Sequence, residues 1–381
     1  MSASTARVAS GGKKSKRIVY FDVMRAFAPL AIIMIHVLDG VFTESGSYTT
    51  QEEVWAHGVA SALRWAVPVF VMMSGALFLN PERKFDWKKH FRKNVLRLLI
   101  AFIVWQIIYA VYTYFVTKGD GEPEFDRILH CVRIAFGQHY VHLWFLVMLL
   151  AMYLMVPILR KVTEDRALMK YFLIIGIVFI FALPLVGEYC QILQLSSSKT
   201  NPYLMGALGG VAEGINYFRG KLLLNYMVYF VLGYYLATTD FSKKQRIELY
   251  LLGAGAVALS ILISPLRVSL VGAPIDMVSA DADNINFLSM LLSVAVFVFM
   301  RKWLGGVKKV PRVVSFMAKH SFGVFLVHML FLDGIFRFIY TDGLHMSNIW
   351  YLTPLFTVVI YCVSLGAAWI MSKLPLIRKV I

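Results

Sequence analysis

The stretch FDVMRAFAPLAIIMIHVLDG, residues 21–40, is apolar over the length of a bilayer, yet it holds one arginine and, eleven residues on, one histidine. About 20 apolar residues rising ~1.5 Å each cross the ~30 Å hydrocarbon core, so the stretch reads as a transmembrane helix. Ionisable groups inside such a helix are costly and mark a functional cavity by default. Eleven steps of ~100° make three turns and a remainder of about 20°, so Arg25 and His36 share one face, ~16 Å apart along the axis. They cannot touch one another. Two polar groups so spaced suit a long ligand threaded along the helix. The plainer alternative pairs Arg25 with Asp22 near the interface and leaves His36 as a satisfied bundle histidine.

The rest of the chain has the same character. Of 381 residues, 59% are hydrophobic, 14% aromatic and only 16% charged, with a mean hydropathy of +0.67. A water-soluble chain carries far more charge. Ten apolar segments are expected, near 18–40, 54–80, 94–117, 140–160, 168–190, 215–239, 246–270, 285–303, 319–340 and 350–374. Of these, 54–80 and 215–239 are interrupted enough to bend. The fold class is therefore an all-α integral membrane protein of about ten transmembrane helices. Residues 1–17 form a basic tail with a disordered composition, 18–374 the membrane domain, and 375–381 a short tail. The first segment is long and lacks a small-residue cleavage site, so it reads as a retained anchor. Cys131, Cys190 and Cys362 fall in separate segments without metal or redox spacing.

A formal charge of +16 invites a nucleic-acid reading, but the charges are sorted by loop. With the N-terminus inside, 28 of the 38 Lys and Arg fall on the inner side, 8 on the outer side, and Arg25 and Arg64 within the membrane. Asp and Glu lean the other way, 15 outside and 7 inside. This is the positive-inside distribution, so both termini are expected in the cytoplasm. The basic excess then reports topology and anionic lipid, not nucleic acid. Of the outer connections, 118–139 is acidic with an apolar stretch of its own, and 188–214 is rich in Ser, Gly and Asn.

Several stretches carry candidate chemistry. RKFDWKKHFRKNVLR, residues 83–97, places seven basic residues at the expected inner side. It reads either as a lipid-facing interfacial helix or as a seat for a polyanionic ligand. Ser74 and Gly75 form a small-residue pair inside a helix, which commonly serves close packing. His142 and Trp144 open a helix at the outer side, where an aromatic belt explains a tryptophan without further function. Ser321 and His328, seven residues apart, lie two turns apart on one face. His57, His90, His130, His139, His320 and His345 read as interfacial, with no role. HExxH, a spaced acidic pair and a Gly-rich phosphate loop are all missing, so metal and nucleotide-hydrolysis chemistry is unsupported.

These stretches resemble, in order, the motifs of the membrane-bound acyltransferase 3 family. YFDVMRAFAPLAIIMIHV resembles its opening Arg and His on helix one, and PVFVMMSGALFL its Ser-Gly helix. FRKNVLRLLIAFIVW resembles its basic approach to helix three, HLWFLVMLLAMYLMVPIL its Trp-Phe helix, and SFGVFLVHML its late Ser…His helix. Together they cover residues 18–340. The resemblance implies O-acyl transfer, most often acetyl, from cytoplasmic acetyl-CoA or another acyl-CoA to a glycan or lipid-linked sugar in a bacterial plasma (inner) membrane. The tail after Leu374 is too short for the secreted hydrolase-like domain that some relatives carry, so an acyl relay through such a domain is expected to need a separate protein. On this reading His36 is the general base, and His328 a second acid/base or its orienting partner. Arg25, Arg92, Lys93 and Arg97 hold the phosphates and arm of coenzyme A, with Ser74 and Gly75 beside the donor. His142, Trp144 and Ser321 face the acceptor. The other partners are membrane lipids. The competing expectation is an exporter of polysaccharide, which would show a polar lining shared by several helices.

Overall fold

The computed structural model describes residues 17–43, 51–116, 124–136, 142–196, 206–211, 225–271, 286–341 and 349–375. Among them the regular structure is helical throughout, with no strand. In chain order the elements are α1 (Val19–Thr43), α2 (Gln51–Leu63), α3 (Ala66–Phe78) and a short α4 (Trp87–His90). A π-helical turn, Phe91–Val95, leads into α5 (Leu96–Val116), followed by α6 (Glu124–Phe136) and α7 (Trp144–Glu164). Next, α8 (Arg166–Gly176) passes through a second π-helical turn into α9 (Leu183–Ser196), and α10 (Asn225–Thr238) follows. The last four are α11 (Lys243–Val271), α12 (Phe287–Leu304), α13 (Arg312–Thr341) and α14 (Ile349–Met371).

Nine spans among the described residues are long and apolar enough to cross a membrane, and the chain is an all-helical, multi-pass membrane protein. The expected span 215–239 is described only from residue 225, as α10, and both terminal tails lie largely outside the described residues. Rows of large apolar side chains face outward, among them Ile103, Ile107, Val111 and Phe115 on α5 and Leu251, Leu259, Leu262 and Leu266 on α11. In water such faces would be a liability; in hydrocarbon they are the ordinary surface.

Prolines explain several departures from straight helices. Proline lacks an N–H and clashes with the carbonyl four residues back. Pro68 therefore breaks the expected span 54–80 at Arg64 and Trp65, between α2 and α3. Pro157 in α7 orphans the carbonyl of Tyr153, and the ring of His90 fills the gap: Nε2–H donates to Tyr153 O at 2.9 Å. Asn94 Nδ2 in turn donates to His90 Nδ1 at 3.1 Å. The expected span 94–117 accordingly starts earlier, at Trp87, capped by Asp86, whose Oδ1 accepts from Lys89 N at 3.0 Å.

Three histidines expected at the interface are buried instead, and each has a packing reason. His90 repairs α7 as above. His57 Nδ1 meets Ser264 Oγ at 3.0 Å, between α2 and α11. His320 Nδ1–H donates to Phe316 O one turn back on α13, at 2.9 Å. The side chains of His130, His139 and His345 lie outside the described residues.

α1 sits centrally, packed on α2, α3, α12, α13 and α14. Tyr361 of α14 donates to Ala26 O of α1 at 2.9 Å, and Tyr109 of α5 to Leu326 O of α13 at 2.8 Å. The most extensive helix pair is α3 with α10, where two glycines remove every side-chain spacer. A Cβ on Gly75 would lie 1.7 Å from Phe230 O, and one on Gly233 2.0 Å from Met72 O. Small residues let membrane helices touch backbone to backbone, and these two do.

The basic residues gather at one end of the bundle. There Arg160 of α7 donates to the carbonyls of Phe78, Pro81 and Arg83 at 3.0, 3.3 and 2.6 Å, and its guanidinium lies 5.0 Å from the Phe85 ring centroid. Thr163 Oγ1 adds a bond to Leu79 O at 2.8 Å. The connection from α3 to α4 is thereby strapped to α7. Arg301 of α12 does the same for α10, donating to Leu236 O and Thr239 O and pairing with Asp240 at 2.9 Å.

Candidate active site

A cavity of about 390 Å³ opens at the basic end, between α1, α3, α5, α7 and α13. Its lining is graded. Lys93 and Arg97 line it from the start of α5, together with Asn94, and Lys319 lines it from α13. Arg25, Ser74, Tyr153 and Ser321 add polar groups, and Ile32, Leu149, Phe70, Phe145 and Phe325 supply apolar walls. Four cationic side chains from three helices border it, and no carboxylate is among the lining residues. Lys93 and Arg97 are four residues apart and so share a helix face, whereas Arg92, one position off, is exposed and does not line the cavity.

Arg25 is half-buried and faces this space. The carboxylate of Asp22 hydrogen-bonds Arg17, and its charge also acts on Arg25. Ser74 Oγ donates to Phe70 O at 3.1 Å and lines the cavity together with Tyr153. Gly75, its neighbour, faces α10 and belongs to the helix contact.

One step deeper along α1 from Arg25, the sequence-predicted residues converge again. The His36 ring lies 5.5 Å from that of His328 on α13, centroid to centroid, and the His142 ring lies 5.0 Å from His328. Three histidines, from α1, from the approach to α7 and from α13, thus form one cluster, in which His142 and His328 are buried and His36 is partly exposed. Its outer wall is Tyr109, 5.0 Å from His142. His328 Nδ1–H donates to Phe325 O at 2.7 Å, which leaves Nε2 as the unprotonated nitrogen of the neutral ring. That nitrogen is buried, with no hydrogen-bond partner among the described residues. Arg64, at the break between α2 and α3, is buried and close enough for its charge to act on His36.

His142 therefore lies deeper than its expected place at the outer surface: it is 2% exposed and packed against His328 and Phe325. Trp144 sits apart, 5.7 Å from Tyr226. Ser321 lines the cavity, not the histidine cluster, and its hydroxyl donates to Ala318 O at 3.0 Å. Lys319, Asn94 and Tyr153 escape a reading of the sequence alone, and Arg64 stands out there only as a charge within the membrane, with no role. A lysine at the inner end of a helix is indistinguishable there from the positive-inside excess. No group of His, Cys, Asp and Glu among the described residues has the geometry of a metal site.

A membrane-embedded helical bundle thus holds a cavity bordered by cations, with a cluster of histidines packed against its Phe325 wall. The chain matches the family model described as an acyltransferase domain, acyltransferase 3, over residues 18–373, and it belongs to that family. It is a membrane acyltransferase. No curated protein and no solved structure matches it.

Proposed function

We propose that this acyltransferase takes its acyl group from acyl-CoA, most often acetyl-CoA, bound in the graded cavity. The acceptor is a hydroxyl of an envelope glycan or lipid-linked sugar reached from the opposite face. The observation that supports this reading best is the cluster of Arg25, Lys93, Arg97 and Lys319 around one opening without a carboxylate. Such a set matches the several negative charges of coenzyme A, and guanidinium forks suit phosphate oxygens. An exporter is not favoured, because the chain's family is one of acyltransferases.

In the reaction, His36 takes the proton of the acceptor hydroxyl as its oxygen bonds to the thioester carbonyl carbon. The C–S bond then breaks, and the thiolate leaves and is protonated. His328, beside His36, is the second acid/base, with its tautomer set by Phe325 O. Arg25 holds the pantetheine arm between mouth and histidines. Arg64 stabilises the negative charge that develops on the carbonyl oxygen.

Two measurements test the donor side. Replacing Lys93, Arg97 and Lys319 together by alanine removes three charge-assisted contacts, each worth about 1.5–3 kcal/mol. At ~1.4 kcal/mol per decade, acetyl-CoA affinity of the purified protein should fall about a thousandfold or more. Arg92→Ala should leave it nearly unchanged. An unaltered affinity in the folded triple variant would make these side chains lipid contacts. For orientation, a cysteine at position 88 in intact cells should resist a membrane-impermeant thiol reagent and react after permeabilisation. Labelling from outside would place the basic end on the wrong face for a cytoplasmic donor.

A further inference from the structure

We infer that Phe70, Phe145 and Phe325 form an end wall that measures the acyl group and admits one of acetyl size. This rests on the reading of the cavity as the acyl-CoA site and adds which residues set its selectivity. The cavity runs from cations at the mouth (Lys93, Arg97, Lys319), through hydrogen-bonding groups (Arg25, Ser74, Tyr153), to apolar surface at the inner end. Coenzyme A thioesters have the same order: phosphates, then amides, then the acyl group. Matching the two gradients puts the acyl chain against the aromatic end.

That end has no slack. The rings of Phe145 and Phe325 are 5.1 Å apart, and those of Phe70 and Phe145 6.4 Å. Phe325 is braced from behind by the imidazoles of His142 at 5.3 Å and His328 at 6.0 Å, and alongside by the Phe322 ring stacked at 6.4 Å. Phe145 and Phe325 are both at least nine-tenths buried. The backbone of residue 325 is held too, because its carbonyl accepts the His328 Nδ1–H. A longer chain would have to push a ring into histidines that are already in contact. Closely packed interiors resist such insertion.

Binding alone reads this out, without knowledge of the acceptor. Acetyl-CoA, butyryl-CoA and octanoyl-CoA are titrated into the purified protein in detergent, with free CoA as reference. One methylene in a fitted apolar pocket is worth roughly 10–200-fold. The wild type should therefore prefer acetyl-CoA to butyryl-CoA by about tenfold or more, and Phe325→Ala should erase most of that ratio while free CoA binds as before. Phe145→Leu, a milder change, should shift the ratio the same way and serves if the alanine variant does not fold. Equal wild-type affinity for all three thioesters, or folded variants that keep the wild-type ratio, would overturn the inference. If neither CoA nor any thioester bound the wild type, the acyl-CoA reading itself would fall, and the wall with it.

Discussion

His36→Ala should lower acyl transfer by roughly 10²–10⁴-fold, the range lost with a general base, while acetyl-CoA affinity stays close to wild type. The separation of the two effects follows from the geometry. The donor contacts proposed are at the cavity, around Arg25 and Arg97, whereas His36 stands apart from it, near His328. His36→Gln is the sharper variant. An amide fills the same space and can hydrogen-bond, but it cannot accept a proton at neutral pH, so it should be as inactive as alanine. A histidine that only packs would rank the two the other way, with glutamine tolerated and alanine unstable. The measurement pairs acyl mass on envelope glycans from cells with donor affinity of purified, monodisperse variants. An active glutamine variant would remove His36 from the chemistry.

The second large effect is on assembly. Gly75→Ala should leave little monodisperse protein, because the added methyl would be 1.7 Å from Phe230 O on α10. Forcing a methylene into a packed core typically costs ~1–3 kcal/mol. Here the obstacle is a backbone carbonyl that has no rotamer to retreat to, so the cost should be at the upper end or beyond. Gly233→Ala meets Met72 O at 2.0 Å and should behave alike. Gly255→Ala is the control: nothing lies within 4 Å of its added carbon, and alanine favours a helix interior over glycine. Size-exclusion profiles and thermal denaturation in detergent compare the three. A well-behaved Gly75→Ala protein would mean that α3 and α10 are free to separate.

How much of this could be read from the residues depends on whether the information was local. Helix one was legible because both of its polar groups sit on one element, where 100° steps place Arg25 and His36 on a common face. The break in the second span was legible from its interruptions, and Pro68 accounts for it. Arg92 was grouped with Lys93 and Arg97 by nearness in sequence, but helical phase carries it away from the cavity that Lys93 and Arg97 share. His142 was read from its position at a helix start, which suggests an interface. Its burial depends on Tyr109, Phe325 and His328, all distant in the chain. His90 shows the limit most clearly. Its role is to satisfy a carbonyl freed by Pro157, 67 positions away, and no pattern within either helix announces that pairing.

The histidine cluster draws one residue from the first helix, one from the approach to the seventh and one from the thirteenth. Membrane helices insert individually before they associate. A chain still emerging from the ribosome therefore contains His36 and His142 long before His328 arrives to join them. Until α13 is threaded, the nascent product lacks Lys319 of the cavity and His328 of the cluster, and on the proposed reading it can neither seat a donor fully nor complete its acid/base pair. On that reading the order of synthesis acts as a safety catch: an unfinished polypeptide in the bilayer cannot squander activated acyl groups, and the chemistry switches on only once α13 is in place.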